Sequence, residues 1–329
     1  MTNFWTKLQK PSAKARARPI MVLAPMADVT DVAFRRIIAK YGKPDVLWTE
    51  FVSADGLVLA DKKGKKKLSK DLEYSEAERP IVAQFFTSIP EHMEEVAKLA
   101  MKLGFDGVDI NMGCPDKSIE KQKAGAALIK NPKLARELIK AAKRGAGSLP
   151  VSVKTRVGYN KIEIEEWLPE ILKEEPAVLI VHARTRKEMS KVSARWEFVK
   201  RAVEIRNELG VKTLIFGNGD VRDLEDARMK AKETGCDGVM LGRAIFGNPW
   251  LFSEHIPTLK EKLNVLVEHT KLFEKLLGKY KNFAVMKKHF KAYVNGFDGA
   301  QDLRNKLMNT NSAKEVEKIV KNYLSTVSN

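Results

Sequence analysis

Eight short, largely apolar runs recur between residues 19 and 241, and this repeat constrains the fold more than any single motif. The runs are 19–24, 45–49, 81–86, 107–111, 151–154, 177–182, 212–216 and 237–241. Helical segments lie between them at 31–40, 90–103, 131–145, 162–175, 195–209 and 222–234. Thr30 is placed to cap the first of these helices. Asn131-Pro132 opens the third with a cap residue and a proline at the first helical position, and Gly145 closes it. Continuous apolar strands of this kind belong to a parallel sheet covered by helices. Eight such units are the number that closes a TIM (β/α)8 barrel, which we expect across residues 20–252. An open, doubly wound sheet is the alternative. It would carry a glycine fingerprint after its first strand, whereas Ala24-Pro-Met-Ala27 contains no glycine.

The pattern changes after Trp250. Leu263, Leu266, Val267, Thr270, Phe273 and Leu277 form one helical stripe, and Val316, Ile319, Val320 and Tyr323 form another. Residues 253–329 are therefore expected to be a small all-α helical-bundle domain. From His255 onward it holds 14 Lys or Arg against 7 Asp or Glu, and the stretch from Lys287 to Tyr293 interleaves bases with aromatics. Residues 1–19 form a basic lead-in, with Lys7, Lys10, Lys14, Arg16 and Arg18 and no acid. A second basic run, Lys62 to Lys67 with Lys70, falls in the loop after the second strand. The net charge of +17 exceeds what solubility requires and suggests a polyanionic partner such as nucleic acid. No run of about 18 apolar residues and no secretory h-region is present, so a cytoplasmic protein without a membrane span is expected. The two cysteines, Cys114 and Cys236, are too few for a disulfide framework or a zinc site, and no metal is expected.

Chemistry collects at the strand ends. Asp106 to Ser118 begins as a buried strand and breaks into Met-Gly-Cys-Pro. Gly113 permits a sharp turn and Pro115 cannot continue a ladder, so Cys114 should sit at a strand's carboxyl end, where parallel α/β folds place ligands. Ala24, Pro25 and Met26 end the first strand, and Gln84 falls within the third. Asn111 ends the fourth, Lys154 the fifth and His182 the sixth. Gly217-Asn218-Gly219-Asp220 follows the seventh, and Gly242-Arg243 follows the eighth. Glycine-rich turns after the last two strands are where barrels build a phosphate site, here with Arg243 as the cation. Gln84 and Asn111 could hydrogen-bond the edge of a planar ring, Lys154 could hold negative charge as the ring is reduced, and His182 adds a donor. That set fits a flavin with one phosphate, FMN. Cys236, at the entry to the eighth strand, is expected to be a buried structural residue.

The motifs Ala24-Pro-Met-Ala-Asp-Val-Thr-Asp31, Asp109-Ile-Asn-Met-Gly-Cys-Pro115, Val153-Lys-Thr-Arg156, Val181-His-Ala-Arg-Thr-Arg186, Gly217-Asn-Gly-Asp220 and Leu241-Gly-Arg-Ala-Ile-Phe-Gly-Asn-Pro-Trp250 stand in order along the chain. In sequence and spacing they resemble the tRNA-dihydrouridine synthases, and Met286 to Tyr293 resembles the helical domain of the bacterial members. The resemblance implies an FMN- and NADPH-dependent oxidoreductase, with NADH as the other donor, that reduces uridine in tRNA to dihydrouridine; the alternative is a small-molecule FMN barrel oxidoreductase of the dihydroorotate or dihydropyrimidine dehydrogenase type, which has less need of a basic helical appendage. It implies a tRNA-binding role for residues 253–329. On that basis Cys114 is expected to protonate carbon 5 of the base. Arg184, Arg186, Lys288 and Lys291 are expected to contact RNA phosphates, and the protein is expected to act as a monomer.

Overall fold

The computed structural model describes residues 4–9, 18–253 and 255–327. Nine parallel strand segments run β1 (Ile20–Leu23), β2 (Leu47–Trp48), β3 (Val52–Ser53), β4 (Ile81–Phe86), β5 (Gly107–Met112), β6 (Val151–Arg156), β7 (Val178–His182), β8 (Leu214–Asn218) and β9 (Gly238–Leu241). They pair in the order β1-β9-β8-β7-β6-β5-β4-β2, with β3 also on β4. A bridge between Val22 and Val46 closes the ring. Asp45 seals the seam, donating its backbone N–H to Met21 O at 2.9 Å while its carboxylate accepts the N–H of Met21 at 2.8 Å. The expected barrel is present.

The expected second strand, 45–49, shortens to β2, and a further segment that was not expected, β3, follows it. The hydroxyl of Thr49 accepts the N–H of Gln84 at 3.1 Å, so a side chain stands where a backbone acceptor belongs and the ladder lapses until Val52. Thr30 does not cap the first barrel helix. The cap of Val32–Tyr41 is Asp31, which accepts the N–H of Phe34 at 3.0 Å. The Thr30 hydroxyl instead accepts the N–H of Met26 at 2.9 Å and holds the loop after β1. Asn131 caps Pro132–Ala146 as expected, but the helix ends at Gly147. Gly145 has another use: a Cβ there would lie 2.1 Å from the carbonyl oxygen of Glu94, so its bareness lets this helix approach Pro90–Lys102.

Strand periodicity sorts the barrel's interior into layers. Ile20, Val22, Val46, Trp48, Val82, Val178, Ile180, Leu214, Phe216 and Met240 share one buried apolar cluster. At the amino end of the strands this cluster is completed by Trp5, from the helix Phe4–Gln9, whose ring lies 5.5 Å from Phe216 and 6.0 Å from Trp48. The lead-in expected over 1–19 thus contains a plug for the barrel floor. Its Lys10, Lys14 and Arg16 lie outside the described residues.

After residue 253 no strand occurs among the described residues. Helices Leu259–Leu277, Met286–Tyr293, Ala300–Met308 and Ala313–Val327 pack as a bundle, as expected. His269 stacks on Phe34 of the first barrel helix with ring centroids 4.8 Å apart, and His289 meets the same ring edge-on. Within Met286–Tyr293 the aromatics turn inward and Lys288 and Lys291 face water. The Lys62–Lys67 run is not a loop but most of a helix, Lys62–Ser69, capped by Asp61. Lys281 reaches from the bundle to the barrel and donates to Glu50 at 2.8 Å, with Asp71 at 3.2 Å. Burial pushes the Glu50 carboxyl up to about 7 even with Lys281 beside it. The other Glu50 oxygen accepts the N–H of Asp28, a residue with φ of 55°. No helix of the described residues is long and apolar enough to cross a membrane.

Candidate active site at the barrel mouth

Register decides which polar side chains meet. Gln84 stands beside Asp109, Asn111 beside Lys154, Arg156 beside His182, and His182 beside Asn218. Along β6 the inward positions are Ser152, Lys154 and Arg156, so apolar layers near the floor give way to a polar rim.

A cavity of about 320 Å³ opens at this rim, lined by Ala24, Pro25, Met26, Lys154, His182 and Asn218 on the strand ends. Its remaining wall includes Arg156, Arg184, Gly219, Asp220, Gly242 and Arg243. The ammonium of Lys154 donates to Asn218 Oδ1 at 3.2 Å, and the Asn218 amide donates to Met240 O at 2.8 Å. Burial, with Arg156 nearby, brings Lys154 down to about 8. Burial and the cations Arg156, Lys154, Arg184 and Arg243 hold His182 well below its ordinary value, so the imidazole is neutral. One carboxylate, Asp220, answers this charge within the cavity wall, and it binds both Arg184 and Arg243. Gly219 has φ of 125°, and a Cβ there would come within 2.7 Å of Ala194 and 3.2 Å of His182, so the turn after β8 requires glycine. A cavity walled by four cations and bare glycine backbone is built for an anionic ligand.

Cys114 stands on the turn after β5. Asn111 Oδ1 accepts the N–H of Gly113 at 3.1 Å and that of Cys114 at 2.9 Å. The carbonyl of Cys114 accepts the N–H of Ala126 at 3.0 Å, and a Cβ on Gly125 would clash with that oxygen at 2.8 Å. Phe51, Phe86, Ile119 and Ala124 form an apolar patch around the partly exposed sulfur. Burial pushes the thiol up, against a lowering pull from Arg156 and Lys154. The side chain is therefore a neutral thiol at neutral pH, within electrostatic reach of the cavity's cations.

Of the expected ligand-binding residues, Ala24, Pro25, Met26, Lys154, His182, Asn218, Gly219, Asp220, Gly242 and Arg243 meet in the cavity. Gln84 and Asn111 lie beneath it. Gln84 is fully buried, donates to Asp109 at 2.6 Å and accepts from the Asn111 amide at 3.1 Å, so the pair braces the Cys114 turn. Arg184 lines the cavity, 3 % exposed and tied to Asp220, and so does not reach outward as an RNA contact would. Arg186 is held by both oxygens of Glu120 and leans on the ring of Tyr159. Lys288 and Lys291 are exposed on the bundle. Cys236 is buried, as expected. Sequence reasoning passed over Arg156. It donates to Gly113 O at 2.7 Å and Thr185 O at 3.1 Å, linking the Cys114 turn to the loop after β7. Its signal was its place two residues beyond Lys154, on the same strand face.

Solved structures share the fold. Histamine dehydrogenase from Rhizobium sp. 4-9 matches with a TM-score of 0.52 at 12% identity, over 78% of this chain and 50% of that one. A 2-naphthoyl-CoA reductase matches with a TM-score of 0.52 at 13% identity, over 71% of this chain and 49% of that one. The chain thus spans about half the length of these two proteins. Sequence relatives match nearly end to end. A probable tRNA-dihydrouridine synthase of Staphylococcus aureus (strain MRSA252) is 40% identical over 98% of this chain and 95% of its own length. Probable tRNA-dihydrouridine synthase 2 of Bacillus subtilis (strain 168) is 42% identical over 98% and 96%. The profile described as dihydrouridine synthase matches residues 22–328, which takes in the Cys114 turn, the cationic cavity and the helical bundle. The chain belongs to the dihydrouridine synthase family.

Proposed function

We propose that this protein reduces uridine in tRNA to dihydrouridine, using FMN and a nicotinamide reductant, NADPH or NADH. Bound FMN would supply the hydride to carbon 6 of uracil. The observation that carries the reading is the pairing of a neutral, partly exposed thiol, Cys114, with a cation-walled cavity whose wall includes the adjoining Pro115. FMN suits that cavity. Arg243 and the turns at Gly219 and Gly242 would take the phosphate, with Arg184 and Asp220 fixing the arginine's place. Ala24, Pro25 and Met26 would back the ring, and Lys154, His182 and Asn218 would face its polar edge. Gln84 and Asn111 act from below.

The residues of the chain then divide the work. Lys154, still protonated at pH 7, holds negative charge that gathers on the ring or on the uracil carbonyl. Cys114 gives its proton to carbon 5 as the electron pair there closes the new C–H bond. The thiolate left behind recovers a proton from water, which its partial exposure admits. The base must leave the RNA stack to reach the mouth, and the exposed Lys288 and Lys291 would hold the backbone meanwhile. Purified protein should show a flavin spectrum and, with NADPH and tRNA, form dihydrouridine at defined positions by mass mapping. A colourless protein, or one that reduces free uracil while leaving tRNA untouched, contradicts the proposal.

A further inference from the structure

The helix Lys62–Ser69 buries none of its residues, and its lysines at 62, 63, 65, 66 and 67 are all exposed. None of the five has an ion-pair partner among the described residues, whereas Lys70, just beyond, is matched by Glu73 at 2.5 Å. Like charges three and four apart destabilise a helix by a few tenths of a kcal/mol per pair, and eight residues are too few to be stable alone. Its anchor is Leu68, against which a Cβ at Gly56 would press at 2.6 Å. Lys66 and Lys67 suit the carboxyl end of the helix dipole, but the mutual repulsion of the five is unanswered by any acid among the described residues, and a polyanion laid on them would relieve it.

The helix also stands in a particular place. It follows β3 through a short helix, Ala54–Leu59, whose Asp55 accepts from the Thr87 hydroxyl just past the end of β4, so the chain comes to it from the carboxyl end of the barrel, where Phe51 and Cys114 pack on one apolar cluster. The chain leaves it still at that end, because Asp71 meets Lys281 at 3.2 Å and Lys70 lies 5.0 Å over the Tyr280 ring. Descent comes only afterward, when Tyr74 hydroxyl reaches Leu103 O and Gly104 O at 2.9 Å, past the end of the helix Pro90–Lys102. Around the ring, β3 stands four strands from β7 and so across the mouth from His182.

We propose that Lys62, Lys63, Lys65, Lys66 and Lys67 form a docking surface for the phosphodiester backbone of the substrate RNA, clamping a limb beside the mouth on the side away from His182. This rests on the tRNA reading above. Charge density decides it, not side-chain identity. The test is dihydrouridine formation on tRNA by the flavin-loaded protein, at several salt concentrations, with all five lysines changed to glutamine or all five to arginine. The glutamine variant should keep its flavin spectrum and kcat, raise KM for tRNA about 10-fold near 0.15 M salt, and flatten the salt dependence of log KM by about 3. The arginine variant should behave as the native protein. The pair Lys63→Gln with Lys67→Gln should give a smaller change in the same direction, and serves if five changes impair folding. An unchanged KM and salt slope, or a lower kcat at unchanged KM, overturns the docking surface. Absence of dihydrouridine from the native protein on every tRNA would instead overturn the proposed function.

Discussion

Asn111 holds Cys114 by the backbone: its side-chain oxygen accepts the Cys114 N–H at 2.9 Å while its amide donates to Gln84 at 3.1 Å. The thiol is thus aimed by groups that leave its sulfur free to give up a proton. Cys114→Ala should slow uridine reduction by about 10²- to 10⁴-fold while leaving flavin reduction by NADPH intact. Stopped-flow measurement of the two half-reactions separates these; equal loss in both would remove Cys114 from its proposed role.

The protonation of that thiol can be read directly. Burial raises Cys114 above the ordinary thiol value of 9.0, so the thiolate fraction grows only as pH climbs past it. Iodoacetamide labelling of Cys114, followed by peptide mass spectrometry, should rise with an inflection above pH 9. Cys236, 6 % exposed, should label far more slowly. An inflection near pH 7 would mean a thiolate at neutral pH and a different acid.

Lys154 keeps its charge at a cost. Its value falls to about 8 from an ordinary 10.5, so the folded flavin-free protein disfavours a charge that the unfolded chain carries freely. Lys154→Met should stabilise the flavin-free protein by about 2 kcal/mol at pH 7, while impairing flavin retention. A lowered amine has its full cost below pH 8 and sheds it as pH rises toward 10.5, so the gain should shrink over that window. Urea unfolding at pH 7 and 9.5 checks both the size and the sign.

Trp5 closes the barrel floor from outside the repeat. Removing a buried aromatic leaves a cavity, and Trp5→Ala should lower stability by about 2–4 kcal/mol. Deleting residues 1–9 should do the same. Thermal melts and denaturant curves of the flavin-free protein would show it, and no change would mean that the floor is sealed without Trp5.

The eight-fold repeat was legible because continuous apolar strands and capped helices are local patterns. The Cys114 turn was legible because Gly113 and Pro115 announce it. What stayed hidden depends on register. Whether Gln84 faces a ligand or Asp109 is decided by its neighbour on β5, and Arg156 matters because β7 sets His182 beside it. Arg184 looked like a surface cation, but Asp220, 36 residues away, draws it inward. The Lys62–Ser69 helix broke the usual rule in the other direction, since like-charged residues rarely suggest a helix, and a good cap at Asp61 overrides the repulsion.

Lys281 ties the bundle to the loop after β1 through a carboxylate that burial has already carried to about 7. A graft replacing the tail with one that is uncharged here would leave Glu50 protonated at neutral pH and weaken its grip on the Asp28 amide beside Met26. Exchange of the tail between relatives is therefore limited to donors that bring a cation to this spot. One ammonium group thus makes the geometry of the barrel mouth depend on the bundle.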